Sequence, residues 1–194
     1  MPLAFFDLDG TLTKYDTLFA YCLIVLLRRP WRILGIKFLI KGCCQFLRGN
    51  IGRDQLKEAI TFAFLRGLTK KDIGCINKSF LAFVLPLNTR GTIYTRMREH
   101  QSQGYRVFIV SASPDIYVES IAKHWNLEGA ICTTLEWKNG RLTGRLMGRN
   151  CRGEEKAKRI LTIFCKKDLE GSFAYGNSHD DWQLLQLAAF GMRI

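Results

Sequence analysis

Short apolar runs alternate with longer stretches of mixed polarity along this chain. The short runs are rich in β-branched and aromatic residues, which predicts buried strands at 3–6, 105–110, 130–132 and 172–175. The longer stretches predict helices at 90–101, 115–125, 153–166 and 180–188. Strands that alternate with helices are typical of a parallel sheet covered by helices on both faces. We therefore predict an α/β fold.

A block of helices interrupts this alternation after the first strand. Two predicted helices are joined near Pro30, and two more follow, with Asp54 and Thr69 as their expected N-caps. Later, an Asn139-Gly140 turn predicts a β-hairpin over 135–146, which we interpret as structural. We predict two domains, a helical insertion at 16–88 and a core formed by 1–15 and 89–194.

The first half of the insertion has an unusual composition. Residues 17–53 contain no Asp or Glu, but they contain seven Lys and Arg residues among long apolar stretches. The uncharged run at 18–27 is too short to span a membrane, which takes about 20 apolar residues. Two interpretations remain open: these helices lie in a membrane interface, or they pack on the core with their arginines reaching water.

The overall charge and the cysteines limit the class of protein. A net charge of +12 indicates affinity for anions such as phosphorylated substrates, an anionic membrane surface or nucleic acid. The basic residues are spread widely without interleaved aromatic residues, so nucleic-acid binding is the weaker alternative. Seven scattered cysteines without a CxxC pair argue against secretion. No basic region precedes the first apolar run, so we predict a cytoplasmic protein without a signal peptide.

Two carboxylates follow the first predicted strand. Asp7 and Asp9 are two residues apart, so in extended backbone their side chains point to the same side. Gly10 then permits a sharp turn. The carboxyl ends of strands are where open α/β sheets bind ligands, and two close like charges are usually held by a cation or share a proton. An Asp-rich turn with an incidental pair is the alternative.

Further polar candidates lie at or near the ends of the other predicted elements. They are Ser111 after the second strand, Lys156 in a basic helix, and Asn177, His179, Asp180 and Asp181 after the strand at 172–175. Taken singly, Ser111 is typical of a turn and Lys156 of a solvated helix face. His179 is interpreted as a loop residue near the pocket mouth. Only the joint occurrence of these residues indicates a site.

Four motifs in this order resemble those of the haloacid dehalogenase superfamily of phosphohydrolases. They are DLDGT at 7–11, VSASP at 110–114, RGEEK at 152–156 and YGNSHDD at 175–181. The resemblance covers nearly the whole chain and implies a Rossmann-like, three-layer parallel sheet as the core. The helical insertion between the first two motifs resembles the all-helical C1-type cap of subfamily IB, which contains phosphoserine phosphatase.

The resemblance also implies a role for each motif residue. Asp7 would be the nucleophile that forms an aspartyl-phosphate, and Asp9 the general acid and base. Ser111, Lys156 and Thr11 would bind or brace the phosphoryl group. One Mg²⁺ ion would be held by Asp7, the backbone carbonyl of Asp9, Asn177 and Asp181.

Two features depart from the family pattern. Asn177 stands where the family often has Asp; an amide oxygen still ligates Mg²⁺ but adds no charge, so we expect lower metal affinity in an active site. Asp181 matches the second acidic position and is expected to support the metal through water or a hydrogen bond. The apolar run at 188–194 predicts one more strand, where relatives commonly continue, so we expect either an exposed sheet edge or a sequence that is shortened here.

The sequence of the cap indicates a class of substrate. Its Leu26–Pro30 and Leu39–Gly42 stretches resemble phosphatidylglycerophosphatase C, a membrane-associated member of the same subclass. We therefore expect a Mg²⁺-dependent phosphomonoesterase acting on a phospholipid headgroup phosphate such as phosphatidylglycerophosphate, peripheral at the inner face of the membrane. A phosphatase for a soluble metabolite like phosphoserine is the alternative, and an inactive basic binding protein is a further one.

Overall fold

Five parallel strands form the centre of the computed structural model, which describes residues 1–194. The strands of the chain are β1 (Leu3–Phe6), β2 (Arg106–Pro114), β3 (Gly129–Thr133), β4 (Leu135–Lys138), β5 (Arg141–Leu146), β6 (Phe173–Gly176) and β7 (Phe190–Arg193). The sheet order is β3-β2-β1-β6-β7, and β4 and β5 form a separate hairpin. All four strand pairs of the sheet are parallel, as predicted.

Nine α-helices accompany the strands. They are α1 (Thr17–Arg28), α2 (Ile36–Leu47), α3 (Arg53–Leu65), α4 (Lys70–Ser79), α5 (Leu85–Asn88), α6 (Gly91–Ser102), α7 (Asp115–His124), α8 (Glu154–Ile163) and α9 (Trp182–Leu187). Short 3₁₀ segments lie at Pro30–Gly35, Lys166–Leu169 and His179–Asp181, and a π-helical turn lies at Phe80–Val84. No helix has both the length and the apolar character required to cross a bilayer.

Strand β1 is buried on both faces, because it lies in the middle of the sheet. Its side chains alternate between the faces. Ala4 and Phe6 enter a core of 30 buried residues that includes α6, α7 and the helical insertion. Leu3 and Phe5 enter a second core of 12 buried residues with α8 and α9. The result is the predicted three-layer arrangement with helices on both sides of the sheet.

Helices α1–α5 form the helical insertion, called the cap below, between β1 and β2. Helices α1 and α4 connect it to the core: the Tyr21 ring stacks on Tyr117 of α7, and the Asn77 amide donates to the Ile116 carbonyl at 2.7 Å. Helix α2 packs on α3 and buries only Gly42. The insertion confirms the predicted architecture, whereas the domain limits at residues 16 and 88 stay a prediction.

One of the two predicted helix caps is wrong. Thr69 caps α4, where its hydroxyl accepts a hydrogen bond from the Asp72 backbone amide. Helix α3 instead begins after Gly52, whose backbone amide donates to Gln55 Oε1 at 2.9 Å. Asp54 lies in the first turn and accepts a hydrogen bond from the Asn150 amide at 2.9 Å. This tertiary contact engages Asp54, and the Gln55 side chain satisfies the helix end.

The hairpin β4–β5 attaches the cap to the core. Thr61 of α3 donates to the Gly144 carbonyl at 2.6 Å, and the Leu146 amide donates to Glu58 at 2.9 Å. Gly144 has a φ of +85°, and a Cβ there would lie 2.5 Å from Phe62 Cα, so this position requires glycine. These contacts hold α3 beside the core, which is consistent with a structural hairpin.

Candidate active site

The candidate site lies at the carboxyl end of β1, between β2 and β6. The chain runs from β1 outward through β2 and β3, and then returns to the other side of β1 with β6. Such a reversal of strand order opens a crevice where α/β proteins bind ligands. The Asp7 amide donates to the Tyr175 carbonyl at 2.9 Å, which extends the pairing of β1 with β6 by one residue. Asp7 is thereby fixed at the edge of the crevice.

Gly10 makes the turn that follows the two carboxylates. Its φ is +82°, a backbone conformation that favours glycine. A Cβ at this position would lie 2.1 Å from the Nδ2 atom of Asn177. The first and fourth motifs therefore touch directly, and a larger residue here would have to displace the Asn177 side chain.

Asp7 is a buried carboxylate with both oxygens engaged. Its Oδ1 accepts a hydrogen bond from Lys156 Nζ at 2.6 Å, and its Oδ2 accepts one from the Thr11 hydroxyl at 3.0 Å. Burial raises the pKa of Asp7 to about 6, and the neighbouring Asp181 charge adds to this rise against the lowering effect of Lys156. Thr11 therefore stabilises the loop after β1 by its hydrogen bond to the Asp7 carboxylate.

Lys156 bridges two carboxylates although only 2% of it is exposed. Its Nζ lies 2.6 Å from Asp7 Oδ1 and 2.5 Å from Asp181 Oδ1. Burial alone would lower the pKa of the Lys156 ammonium, but the two adjacent carboxylates outweigh burial and raise it. The side chain therefore remains charged in the interior, where its charge is balanced by Asp7 and Asp181.

Asp181 is fully engaged with neighbouring protein groups. Its Oδ1 pairs with Lys156, and its Oδ2 accepts hydrogen bonds from the Asn177 and Ser178 amides and from the Ser178 hydroxyl, at 3.2, 2.9 and 2.7 Å. Burial would raise the pKa of Asp181, but Lys156 and Ser178 lower it overall. This geometry suits a residue that positions Lys156 and the Asn177 loop.

Asp9 is held by the cap and by β2. Its Oδ1 accepts hydrogen bonds from the backbone amide and the hydroxyl of Thr17, at 2.6 and 2.7 Å. Its Oδ2 accepts one from the Ser113 hydroxyl at 2.6 Å. Burial raises the pKa of Asp9. Because Thr17 is the first residue of α1, the orientation of this carboxylate depends on how the cap is seated.

These groups line one polar cavity of about 260 Å³. Ser111 is buried within β2, three residues before the strand ends at Pro114, and its hydroxyl accepts a hydrogen bond from the Ser113 amide at 3.0 Å. The cavity has five carboxylates but three cations. Its charged residues are Asp7, Asp9, Asp16, Asp180, Asp181, Lys57, Arg152 and Lys156, and Ser111 and Asn177 also line it. The excess of carboxylates would oppose the entry of a phosphate dianion unless a further cation were bound.

Three charged residues of the cavity received no role in the sequence analysis, although Arg152 begins the RGEEK motif. Asp16 caps α1, and Lys57 of α3 donates to the Ala112 carbonyl and to Asn150 at 2.6 and 2.7 Å. Burial lowers the pKa of Lys57. Arg152 pairs with Asp180. The position of Asp16 just before an apolar helix was a usable signal, whereas nothing distinguishes Lys57 from other helical lysines.

The donor groups of the cavity fit a magnesium ion with few protein ligands. No three Asp, Glu, His or Cys side chains gather as a metal-binding group. The available donors are the Asp7 carboxylate, the Asp9 carbonyl and the Asn177 amide oxygen, which are the hard oxygens that Mg²⁺ prefers. Mg²⁺ commonly retains several waters, and a divalent cation would offset the excess of carboxylates. The ligand roles of these residues and of Asp181 stay predictions.

Comparison with known proteins identifies the family. The sequence model of the haloacid dehalogenase-like hydrolases matches residues 4–186. The chain is 30% identical to the protein CicA of Caulobacter vibrioides over 192 residues, which are 96% of this chain and 82% of that protein. It is 29% identical to a phosphoserine phosphatase of Archaeoglobus fulgidus over 120 residues, which are 56% of this chain and 35% of that protein.

A solved structure supports the fold. The phospho-aspartyl intermediate analogue of a phosphoserine phosphatase superposes with a TM-score of 0.63 at 23% identity, over 99% of this chain and 84% of that one. The likeness includes the parallel sheet and the helical insertion. The chain belongs to the haloacid dehalogenase-like hydrolase family and, within it, is a phosphatase similar to the phosphoserine phosphatases.

Proposed function

We propose that this phosphatase hydrolyses phosphate monoesters in two steps, with Asp7 as the nucleophile. The observation that supports this most is the placement of Asp7: a buried carboxylate at the sheet's carboxyl edge, 2.6 Å from a buried lysine and in the same cavity as Asp9 and Ser111. Thr11 and Lys156 hold the carboxylate in one orientation, which lowers the entropic cost of attack. The arrangement fits nucleophilic catalysis by a carboxylate.

In the first step an oxygen of Asp7 forms a bond to phosphorus while the bond from phosphorus to the ester oxygen breaks. The departing alkoxide takes a proton from Asp9 and leaves as an alcohol. In the second step a water oxygen forms a bond to phosphorus while the bond from phosphorus to the Asp7 oxygen breaks, and the water gives one proton to Asp9. Inorganic phosphate leaves, and both carboxyl groups return to their starting states. The Thr17 and Ser113 hydrogen bonds hold Asp9 toward the cavity.

The phosphoryl oxygens gain charge stabilisation from this chain's own donors. Lys156 and the Ser111 hydroxyl line the cavity with Asp7, and we assign them to the non-reacting phosphoryl oxygens. Asp181 acts as a positioning residue, because it holds Lys156 and the Asn177 loop. A Mg²⁺ ion held by Asp7, the Asp9 carbonyl and Asn177 would neutralise charge between the carboxylates and the substrate.

For the substrate we favour a small polar phosphomonoester. The cavity of about 260 Å³ is compact, and the cap presents both an anion and a cation to it, Asp16 and Lys57. Opposite charges in the cavity lining suit a substrate that bears an ammonium and a carboxylate group besides its phosphate. The similarity to phosphoserine phosphatases supports this alternative better than the lipid substrate expected from the cap's composition.

One observation favours a lipid phosphate as the second candidate. An apolar cavity of about 380 Å³ lies between α1, α2 and α3, and eight of its nine lining residues are hydrophobic. It shares Asp16 and Leu18 with the catalytic cavity. An amphiphilic substrate would place its phosphate at Asp7 and an apolar chain in this second cavity. The resemblance of the cap to phosphatidylglycerophosphatase C stays a prediction.

The experiment measures phosphate release by the purified protein with and without Mg²⁺. The panel contains phosphoserine, phosphatidylglycerophosphate in detergent, phosphatidic acid, nucleotides and an aryl phosphate. We expect Asp7→Asn to lower kcat about 10⁴-fold because the nucleophile is lost. Asp168→Asn makes the same chemical change at an exposed position and serves as the matched control.

The outcomes separate the alternatives. Faster turnover of phosphoserine supports the polar substrate, and faster turnover of the two lipids supports the apolar cavity as a chain site. Phosphate covalently bound to the Asp7 peptide after an acid quench would identify the intermediate. Full activity of Asp7→Asn would refute the nucleophile, and no turnover of any compound with Mg²⁺ would favour the inactive binding protein.

A further inference from the structure

The outer side of the first two cap helices exposes an unusual amount of apolar surface. Residues 17–47 are about one sixth of the chain, but they hold nine of its 19 exposed large apolar side chains. Among them Leu27, Leu34 and Leu47 are 79%, 73% and 83% exposed, and Trp31 is 59% exposed. A large exposed apolar patch on a protein usually marks an interaction surface.

The pattern on α2 is that of an interfacial helix. An apolar row of Ile36, Ile40, Cys43 and Leu47 follows helical spacing; Ile40 and Leu47 are exposed, Cys43 is partly buried, and Ile36 packs partly against the core. Lys37 and Lys41, followed by Arg48 just after the helix, form a basic row on the other flank. Gly42, the only buried residue of α2, faces α3, where a Cβ would lie 2.5 Å from Ala59. Both rows flank the side opposite Gly42. Helix α2 therefore presents apolar and cationic side chains together to the outside.

Exposed apolar residues also occur before α2. Leu23 and Leu27 follow Phe19 at intervals of four on α1, so the three form one exposed row. The 3₁₀ segment Pro30–Gly35 buries no residue and adds Trp31, Ile33 and Leu34. We call the exposed residues of α1, this segment and α2 the outer cap face.

The charge of this face has one sign. Residues 17–53 contain seven basic and no acidic residues. Arg28, Arg29 and Arg32 bind other cap helices through Ser79, Asp72 and the Phe64 carbonyl, respectively. Lys37, Lys41 and Arg48 take part in none of the eight ion pairs of the structure. Their charges are therefore available to an external anion.

We propose that the outer cap face docks onto an anionic lipid bilayer. A bilayer of this kind supplies both complements, negative headgroups for the lysines and an acyl boundary for Trp31, Leu34 and Leu47. A second copy of the chain would bring like charges together, and nucleic acid offers no partner for exposed leucines. Lys37, Lys41 and Arg48 hold the protein at the headgroups while the leucines enter the boundary region.

Docking of this face places the bilayer beside the apolar cavity. Phe19 and Leu23 belong to the outer cap face and also line that cavity. The inference nevertheless stands apart from the choice of substrate, because docking depends on no catalytic group. A phosphatase for a soluble ester and a lipid phosphatase would both bind the surface.

The test is co-sedimentation of the full chain with large vesicles of phosphatidylcholine alone or with 30–50% phosphatidylglycerol, near 0.1 M salt. The Asp7→Asn variant is used beside the unchanged protein, so that binding is measured without turnover. We expect binding to the anionic vesicles, at least tenfold weaker binding to phosphatidylcholine, and weakening as salt rises. Trp31 fluorescence should shift to shorter wavelength on binding, and Trp31→Phe should remove that shift.

Matched variants locate the contact. Lys37→Gln/Lys41→Gln should lower the partition coefficient about 30-fold, and Leu27→Ser/Leu34→Ser at least tenfold even at high salt. Lys166→Gln/Lys167→Gln removes the same charge from exposed positions of the core and should change binding less than threefold. All three should hydrolyse the aryl phosphate at the unchanged rate, which shows that they fold.

Three results would overturn the inference. One is absence of binding to anionic vesicles at 0.1 M salt by protein that sediments as a folded monomer. Another is an equal loss of binding for the cap and core lysine pairs, which would mean unspecific attraction by net charge. The third is a dimer, seen without lipid in sedimentation velocity, that Leu27→Ser/Leu34→Ser dissociates, which would assign the face to a second copy.

Discussion

The carboxyl edge of the sheet buries charged side chains, whereas the outer cap face exposes apolar ones. At the sheet edge, Asp7, Lys156 and Asp181 are charged, yet each is at most 5% exposed. On the outer cap face, Leu34 and Leu47 are apolar and largely exposed. Both arrangements cost free energy relative to the ordinary one, with apolar groups inside and charges outside.

The two regions differ in what offsets that cost. The buried charges of the sheet edge compensate one another within 2.5–2.6 Å and have further hydrogen bonds from Thr11 and Ser178. The exposed leucines have no partner within the chain. A self-contained polar network is typical of a preorganised reaction site, and an uncompensated apolar face is typical of a surface that awaits a partner.

The largest expected effect on stability comes from breaking the buried network. Lys156→Met leaves Asp7 and Asp181 without their shared cation, so we expect the free energy of unfolding at pH 7.5 to fall by about 3–5 kcal/mol. Urea denaturation followed by circular dichroism measures it. Lys158→Met on the same helix breaks only an exposed pair with Glu154 and should leave the free energy of unfolding nearly unchanged. Equal losses in the two variants would show that the buried contacts of Lys156 with Asp7 and Asp181 add nothing to stability.

The proposed role of Asn177 as a metal ligand can be tested by adding a negative charge at this position. Asn177→Asp adds a carboxylate beside Gly10, where the proposed metal would bind, so the Mg²⁺ concentration for half-maximal activity should fall about tenfold. Activity and melting temperature are each measured against Mg²⁺ concentration, and both curves should give the same half-maximal Mg²⁺ concentration. His179→Asp, at an exposed position two residues further along that does not line the cavity, is the matched control for the added charge. An unchanged requirement in Asn177→Asp would argue against Asn177 as a ligand.

Asp115 offers a contrast within the core, because it is a half-buried carboxylate that no cation pairs. Its Oδ1 accepts hydrogen bonds from the Ile116 and Leu135 amides, and burial raises its pKa from 3.8 to about 6. A raised acid pKa favours the protonated native state, so this group's stabilisation is present below pH 4 and is lost as pH rises through 6.

Asp115→Asn keeps the accepting oxygen and removes the charge. We expect the variant to be more stable than the unchanged protein by about 1 kcal/mol at pH 7.5, after discounting for partial exposure, and to match it near pH 4. Unfolding by urea at several pH values tests this. A difference between the two proteins that does not change with pH would exclude titration of Asp115 as its cause.

The smallest effect is expected on the outer cap face. Leu34→Ser removes an exposed side chain that the native core does not use, so the free energy of unfolding should change by less than about 0.5 kcal/mol. Leu65→Ala in α3, where the leucine is fully buried, should cost about 2–5 kcal/mol. A loss of 2 kcal/mol or more for Leu34→Ser would mean that this face packs against the protein itself.

Much of the sheet was predictable because its signals are local. The apolar runs ending in Asp7, Ser111 and Gly176 are strands whose order along the chain, with intervening helices, implies a parallel sheet. Thr69 was predicted as a cap because Thr followed by Asp72 is a local pattern. Asp54 failed by the same rule, since Gln55 and a distant Asn150 decided the start of α3.

The sequence by itself determined the α/β class, the position of the helical insertion, the acid-free composition of residues 17–53 and the motif residues at the strand ends. These depend on periodicity, charge and spacing, which act over a few residues. Only the tertiary structure decided that Lys156 joins Asp7 to Asp181, that Asp16 and Lys57 enter the catalytic cavity, and that Leu27 and Leu34 stay outside. Those outcomes depend on which helix faces pack together. Asp7, Lys156 and Asp181 are far apart in the sequence and come into contact only after the chain has folded.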